Sequence, residues 1–107
     1  MLGLMAKTEK MQNGDIETRL AGLPGWGRQG DAITRQFTFT GFADAVAFVV
    51  RLGFQAESVD HHPDLLINYK RVTVTYSTHS AGGLTVKDFE GAAAANRLAA
   101  ATASGER

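Results

Sequence analysis

Residues 42–57, FADAVAFVVRLGFQAE, constrain the fold more than any other stretch. At 100° per residue they read as one helix that is apolar nearly all the way round. Phe42, Val46 and Val49 share one side, Leu52 and Ala45 lie to its left, and Val50 and Phe54 lie to its right. The only polar stripe is Asp44, Arg51 and Gln55, and Phe48 interrupts it. A helix this apolar is covered on both sides. The chain has 107 residues, enough for one domain with one core. One cover is therefore expected from the chain itself. The other is expected from a second copy, with Phe48 marking the interface of a homodimer or homotetramer.

The cover within the chain reads as a sheet. Residues 26–28 and 33–39 flank the turn Gln29-Gly30-Asp31, and Ile33, Phe37 and Phe39 fall on one face against Thr34, Gln36 and Thr38 on the other. Residues 65–69 and 71–77 form a second hairpin in which Val72, Val74 and Tyr76 alternate with Thr73, Thr75 and Ser77. Its turn, 68–71, has no glycine to name its type. A short helix is expected over 13–23, with Asn13 as N-cap, Asp15 and Glu17 at its positive start, and Gly22 and Pro24 ending it. A last helix is expected over 85–101, opened by Thr85 and Asp88 at capping-box spacing. The fold class is α+β. A four-stranded antiparallel sheet carries three helices on one face, in the order α-β-β-α-β-β-α.

Residues 1–12 are expected to be a partly disordered lead-in, 13–102 the domain, and 103–107 a frayed tail. The lead-in lacks the basic-then-apolar order of a signal peptide, and no apolar window reaches the length of a membrane span. Eleven basic and eleven acidic residues leave no formal charge, which disfavours direct nucleic-acid binding. Zero cysteines exclude disulfides, thiolate metal sites and a cysteine nucleophile, and fit a cytoplasmic protein.

All three histidines, His61, His62 and His79, fall within residues 57–88, with Glu57, Asp60, Pro63 and Asp88 in the same stretch. Histidine suits proton transfer because its unperturbed pKa lies near 6.5. Pro63 biases His62 to extended backbone, so His61 and His62 point to opposite sides and do different jobs. His79 ends the second hairpin and could meet either. Plainer readings stand beside these. A His-His-Pro loop can be two solvated imidazoles. Three histidines can bind zinc, although adjacent positions on an extended chain chelate one metal poorly and no cysteine joins them. Asp88 can be a helix cap alone. Glu57 sits at a helix end, where a carboxylate is mildly unfavourable.

Together the spacing is more specific than its parts: Glu57, His61-His62-Pro63, Tyr69, His79, Asp88. With the words QAESVDHHPD, VTVTYSTHSAGGLT, KDF and DAITRQFTFTGFADAVAFV, the chain resembles the pterin-4a-carbinolamine dehydratase family over roughly residues 15–96. Lys70-Arg71 departs from a common asparagine-lysine pair, and Gly41 stands where an aspartate often caps the helix. The resemblance implies the same four-stranded, three-helix fold in dimers or tetramers. It implies loss of water from a 4a-hydroxytetrahydropterin to give the quinonoid dihydropterin, in tetrahydrobiopterin recycling, with no metal or organic cofactor. On that reading His61 and His79 transfer the protons and His62 binds and orients the substrate. Glu57 and Asp88 would orient imidazoles, Ser77 and Thr78 would offer backbone groups to the pterin, and Asp60 and Pro63 complete the site. The resemblance also carries an alternative. Members of this fold serve as a dimeric transcription coactivator or as an assembly factor for the carbon-fixing carboxylase, without catalysis. A scaffold has no need of all three histidines, which favours the enzyme.

Overall fold

The computed structural model describes residues 9–102. Helix α1 (Asn13–Ala21) leads into strands β1 (Gly27–Gln29) and β2 (Ala32–Thr38), then helix α2 (Phe42–Val59), strands β3 (Asp64–Asn68) and β4 (Arg71–Tyr76), a 3₁₀ turn (His79–Ala81) and helix α3 (Val86–Ala100). The sheet order is β1-β2-β4-β3, all antiparallel. Each hairpin pairs with itself, and β2 joins β4 through pairs such as Ile33 with Tyr76 and Phe37 with Val72. The expected class and element order are those observed.

Alternation places Ile33, Phe37, Val72, Val74 and Tyr76 on the face under the helices, all of them buried. Burying each such side chain contributes roughly 1.5–3 kcal/mol. Phe37, Phe39 and Phe48 meet ring to ring at 5.0–6.4 Å between centroids. Trp26 extends this cluster, 6.1 Å from Phe37 and 6.0 Å from Tyr76. Its indole N–H donates to Asn96 Oδ1 at 2.8 Å, and the Arg35 guanidinium donates to the same oxygen at 2.7 Å. Asn96 lies on α3, so these bonds tie that helix to the first hairpin.

Phe48 does not mark an interface. It is fully buried, and α2 turns Ala45, Phe48, Leu52 and Ala56 inward at spacings of three and four. The outward residues are Phe42, Val50 and Phe54, the last 74% exposed. In a helix apolar on nearly every side, the stripe with most charges is not a guide to which side faces the sheet. Most element boundaries also move by one or two residues, and three of the shifts bear on packing. The N-cap of α1 is Gln12, with no side-chain bond, while Asn13 begins the helix and accepts from Arg28 at 2.9 Å. Helix α2 runs on through Val59. Met11, assigned above to the lead-in, is buried, and its N–H donates to the Leu84 carbonyl at 2.8 Å. The rest of the lead-in through residue 8, and the tail 103–107, lie outside the described residues.

Candidate active site

The end of α2 positions the first histidine. Asp60 adopts a left-handed backbone (φ 53°, ψ 44°), and the next N–H, that of His61, reaches back to the Ala56 carbonyl at 3.1 Å. This is a Schellman closure, with aspartate in the place glycine usually takes. It stops the helix, and Pro63 then starts the extended path into β3. His61 is thereby turned toward the start of α3.

What His61 meets there is Asp88. Thr85 and Asp88 form the expected capping box: the Thr85 hydroxyl accepts from the Lys87 N–H, and Asp88 Oδ2 accepts from the Thr85 N–H at 2.9 Å. The same Oδ2 accepts from the Thr78 hydroxyl at 2.8 Å, and Thr78 and Thr85 share a hydroxyl bond of 2.9 Å. The other oxygen, Oδ1, lies 2.6 Å from His61 Nε2. Only one set of directions satisfies every group. Thr85 donates to Thr78, Thr78 donates to Asp88, and His61 Nε2–H donates to Asp88. Asp88 is 0% exposed and the His61 side chain 12%. A fully buried carboxylate is therefore met by three donors, as its desolvation requires. His61 Nδ1 keeps a lone pair in the neutral ring, and no described residue binds it.

His62 makes the corresponding bond with the other carboxylate. Its Nε2 lies 2.8 Å from Glu57 Oε1, on the last turns of α2, with the two side chains 54% and 79% exposed. The adjacent imidazoles thus serve different carboxylates on different helices.

A cavity of about 230 Å³ opens beside His61, lined by Gln55, Val59, His61, Lys87, Glu90 and Gly91. Tyr76 stacks on the His61 ring, 5.8 Å between centroids and 16° between planes. Burial, and after it the Asp88 charge, raises the Tyr76 phenol well above its ordinary value, so it stays neutral. Among the described residues, Gln55 Oε1 and the Tyr76 hydroxyl are buried side-chain atoms with no hydrogen-bond partner.

Other expected residues stand apart. His79 is exposed on the 3₁₀ turn, and its side chain makes no hydrogen bond with His61 or His62. It follows directly after Thr78, which binds Asp88. Thr78 contributes its hydroxyl rather than its backbone: its N–H donates to Gly83, and its carbonyl accepts from Ala81 and Gly83. Ser77 uses its hydroxyl to hold the Asp31 carbonyl at 2.9 Å. Asp60 is exposed at the α2 cap and Pro63 half-buried in the connection. Among the described residues, no three His, Asp or Glu side chains gather as a metal site, and no helix is long and apolar enough to cross a membrane. The sequence reading missed Thr85 as a member of the network, and Tyr76 and Gly91 beside it. Tyr76 carried only a core signal, its alternation with threonines.

Fold and site together define a small α+β protein whose helix cap doubles as the carboxylate partner of a histidine. The chain matches the Pterin 4 alpha carbinolamine dehydratase family over residues 9–98, and it belongs to that family. It is 49% identical over 83 residues to a Roseiflexus castenholzii protein named "Putative pterin-4-alpha-carbinolamine dehydratase", covering 78% of this chain and 89% of that one. A crystal structure of a transcriptional coactivator/pterin dehydratase from Brucella melitensis superposes with a TM-score of 0.82 at 35% identity, over 84% of this chain and 98% of the other. A pterin dehydratase-like protein described as a RuBisCO assembly factor in the alpha-carboxysome shares the fold, with a TM-score of 0.60 at 23% identity, over 69% of this chain and 88% of that one.

Proposed function

We propose that this protein is a 4a-hydroxytetrahydrobiopterin dehydratase, a cytoplasmic hydro-lyase acting in tetrahydrobiopterin recycling. Family membership supports pterin carbinolamine dehydratase activity. The observation that carries the mechanism is the chain Thr85–Thr78–Asp88–His61. Dehydration breaks the C4a–O bond and removes the proton from N5, so that a C4a=N5 double bond forms. The leaving hydroxyl takes up a proton and departs as water. The enzyme therefore gives one proton and takes one, and its net protonation is restored. His61 is suited to take a proton at Nδ1: Asp88 fixes the tautomer and balances the charge the ring then carries. His79, exposed at the end of the second hairpin, is assigned the other transfer. His62, oriented by Glu57, binds the substrate. A positioned acid or base contributes about 10²–10⁴-fold.

The outward strip of α2, Phe42, Val50 and Phe54, supports assembly into a homodimer or homotetramer through that helix. It is also the feature that favours the second reading, a non-catalytic coactivator or assembly-factor role, because such a role works through surfaces. The deciding experiment follows dehydration of a 4a-hydroxytetrahydropterin generated in situ. The wild type should turn over, and His61→Ala and His79→Ala should each lose roughly 10²–10⁴-fold in turnover. A folded His79→Ala protein with near-normal turnover would remove His79 from the mechanism. A wild type without activity would leave the surface role as the better account.

A further inference from the structure

We infer that Tyr76 is a positioning residue for His61: the face of its ring holds the imidazole in the plane that keeps Nε2 on Asp88 and leaves Nδ1 for the substrate. This rests on the reading of His61 as a proton carrier.

A single hydrogen bond leaves an imidazole free to swing about it. The second restraint on His61 is a surface, and Tyr76 provides it at 5.8 Å and 16°. A surface is useful only if it cannot itself move. Among the described residues the Tyr76 hydroxyl has no hydrogen-bond partner, so no hydrogen bond fixes this ring. Packing does so instead. Trp26 lies 6.0 Å away, and Trp26 is in turn held by its bond to Asn96. On another side is the α3 backbone at Gly91, where an added Cβ would stand 2.5 Å from Tyr76 Cε1 and 2.6 Å from Cζ. Only glycine lets the helix approach this closely. The ring is thus held among Trp26, α3 and the imidazole, and the orientation of His61 is set by the aromatic core. The charged groups near His61 are Asp88, Lys87 and Glu90 on α3, with Asp60 and the Glu57–His62 pair at the end of α2. Of these only His62 carries an aromatic ring, and it bonds Glu57; the ring stacked on His61 is that of Tyr76. An aromatic ring, rather than a hydroxyl, is what the site requires at position 76.

Tyr76→Phe and Tyr76→Leu separate the two. The first measurement is the proton NMR spectrum of the free protein, with no pterin present. His61 Nε2–H, protected from solvent exchange by its bond to the buried Asp88, should give a slowly exchanging downfield resonance, assigned by its absence in His61→Gln. The wild type and Tyr76→Phe should keep this resonance, and Tyr76→Leu should lose it to exchange. In the dehydration assay Tyr76→Leu should lose roughly ten- to a hundredfold in turnover with little change in KM. Tyr76→Phe should stay within about twofold of wild type, because it restores the ring. If Tyr76→Leu does not fold, Tyr76→Met takes its place, since it fills more of the volume without a ring. A folded leucine or methionine variant that keeps both the resonance and the turnover overturns the inference. So does a phenylalanine variant that loses either. The resonance decides the positioning claim without substrate, whereas His61→Ala in the assay decides whether His61 carries a proton at all.

Discussion

Two histidine–carboxylate pairs stand next to each other in this protein, and their bonds differ by only 0.2 Å: 2.6 Å for His61–Asp88 and 2.8 Å for His62–Glu57. What separates them is everything beyond the bond. Asp88 is fully buried, accepts from two further donors and caps a helix. Glu57 stands mostly in water, and among the described residues its side chain has no second partner. A buried carboxylate stripped of one partner keeps its desolvation cost, whereas an exposed one recovers its bond from water. Identical local motifs therefore carry unequal weight, and burial decides which of them holds a ring still.

The largest expected effect comes from emptying the buried pair. Asp88→Ala leaves the His61 N–H, the Thr78 hydroxyl and the Thr85 N–H without their acceptor. It should destabilise the fold by about 3–5 kcal/mol in urea unfolding and lower turnover by roughly 10²–10⁴-fold. Next is Gly91→Ala. In an open helix this change gains up to ~1 kcal/mol. Here the methyl meets the Tyr76 ring, so unfolding should instead show a loss of about 1–3 kcal/mol. A more stable Gly91→Ala protein would show that the ring has room to retreat. A third effect is confined to alkaline pH. The Tyr76 pKa is raised above its ordinary value of 10.0, so the folded state holds this proton more tightly than the unfolded chain. That contribution is complete below pH 10.0 and is lost as pH rises above it. Melting temperature should fall between about pH 10 and 12, and Tyr76→Phe should fall less. The smallest effect belongs to the exposed pair: Glu57→Gln should change stability by at most ~1 kcal/mol, and less at high salt.

The comparison also shows which parts were legible in the sequence. Element order was, because strands of period two and helices of period 3.6 alternate cleanly, as in Val72, Val74 and Tyr76 against Thr73 and Thr75. The cap at Thr85 and Asp88 was legible from its spacing. That Asp88 both caps and holds a histidine was not, because the two readings were set against each other. A carboxylate has two oxygens: here Oδ1 meets the histidine, while Oδ2 takes the cap together with the Thr78 hydroxyl. The outward face of α2 was also hidden: amphipathicity names a face only where polar and apolar sides differ, and Phe48 lies inward while Phe54 lies outward. The stacking of Tyr76 on His61 depends on how the cap of α2 meets the end of β4, a tertiary contact with no local signature.

The unequal roles proposed for the two histidines are tested most directly by steady-state kinetics of His61→Ala and His62→Ala, measured side by side on proteins shown to be folded by circular dichroism. A group that acts in the transition state lowers kcat, while one that only binds substrate raises KM. His61→Ala should lose roughly 10²–10⁴-fold in kcat. His62→Ala should show mainly a raised KM, with a smaller loss of kcat. Equal losses of kcat in the two variants, or a larger loss in His62→Ala, would contradict the assignment of the proton to the buried pair.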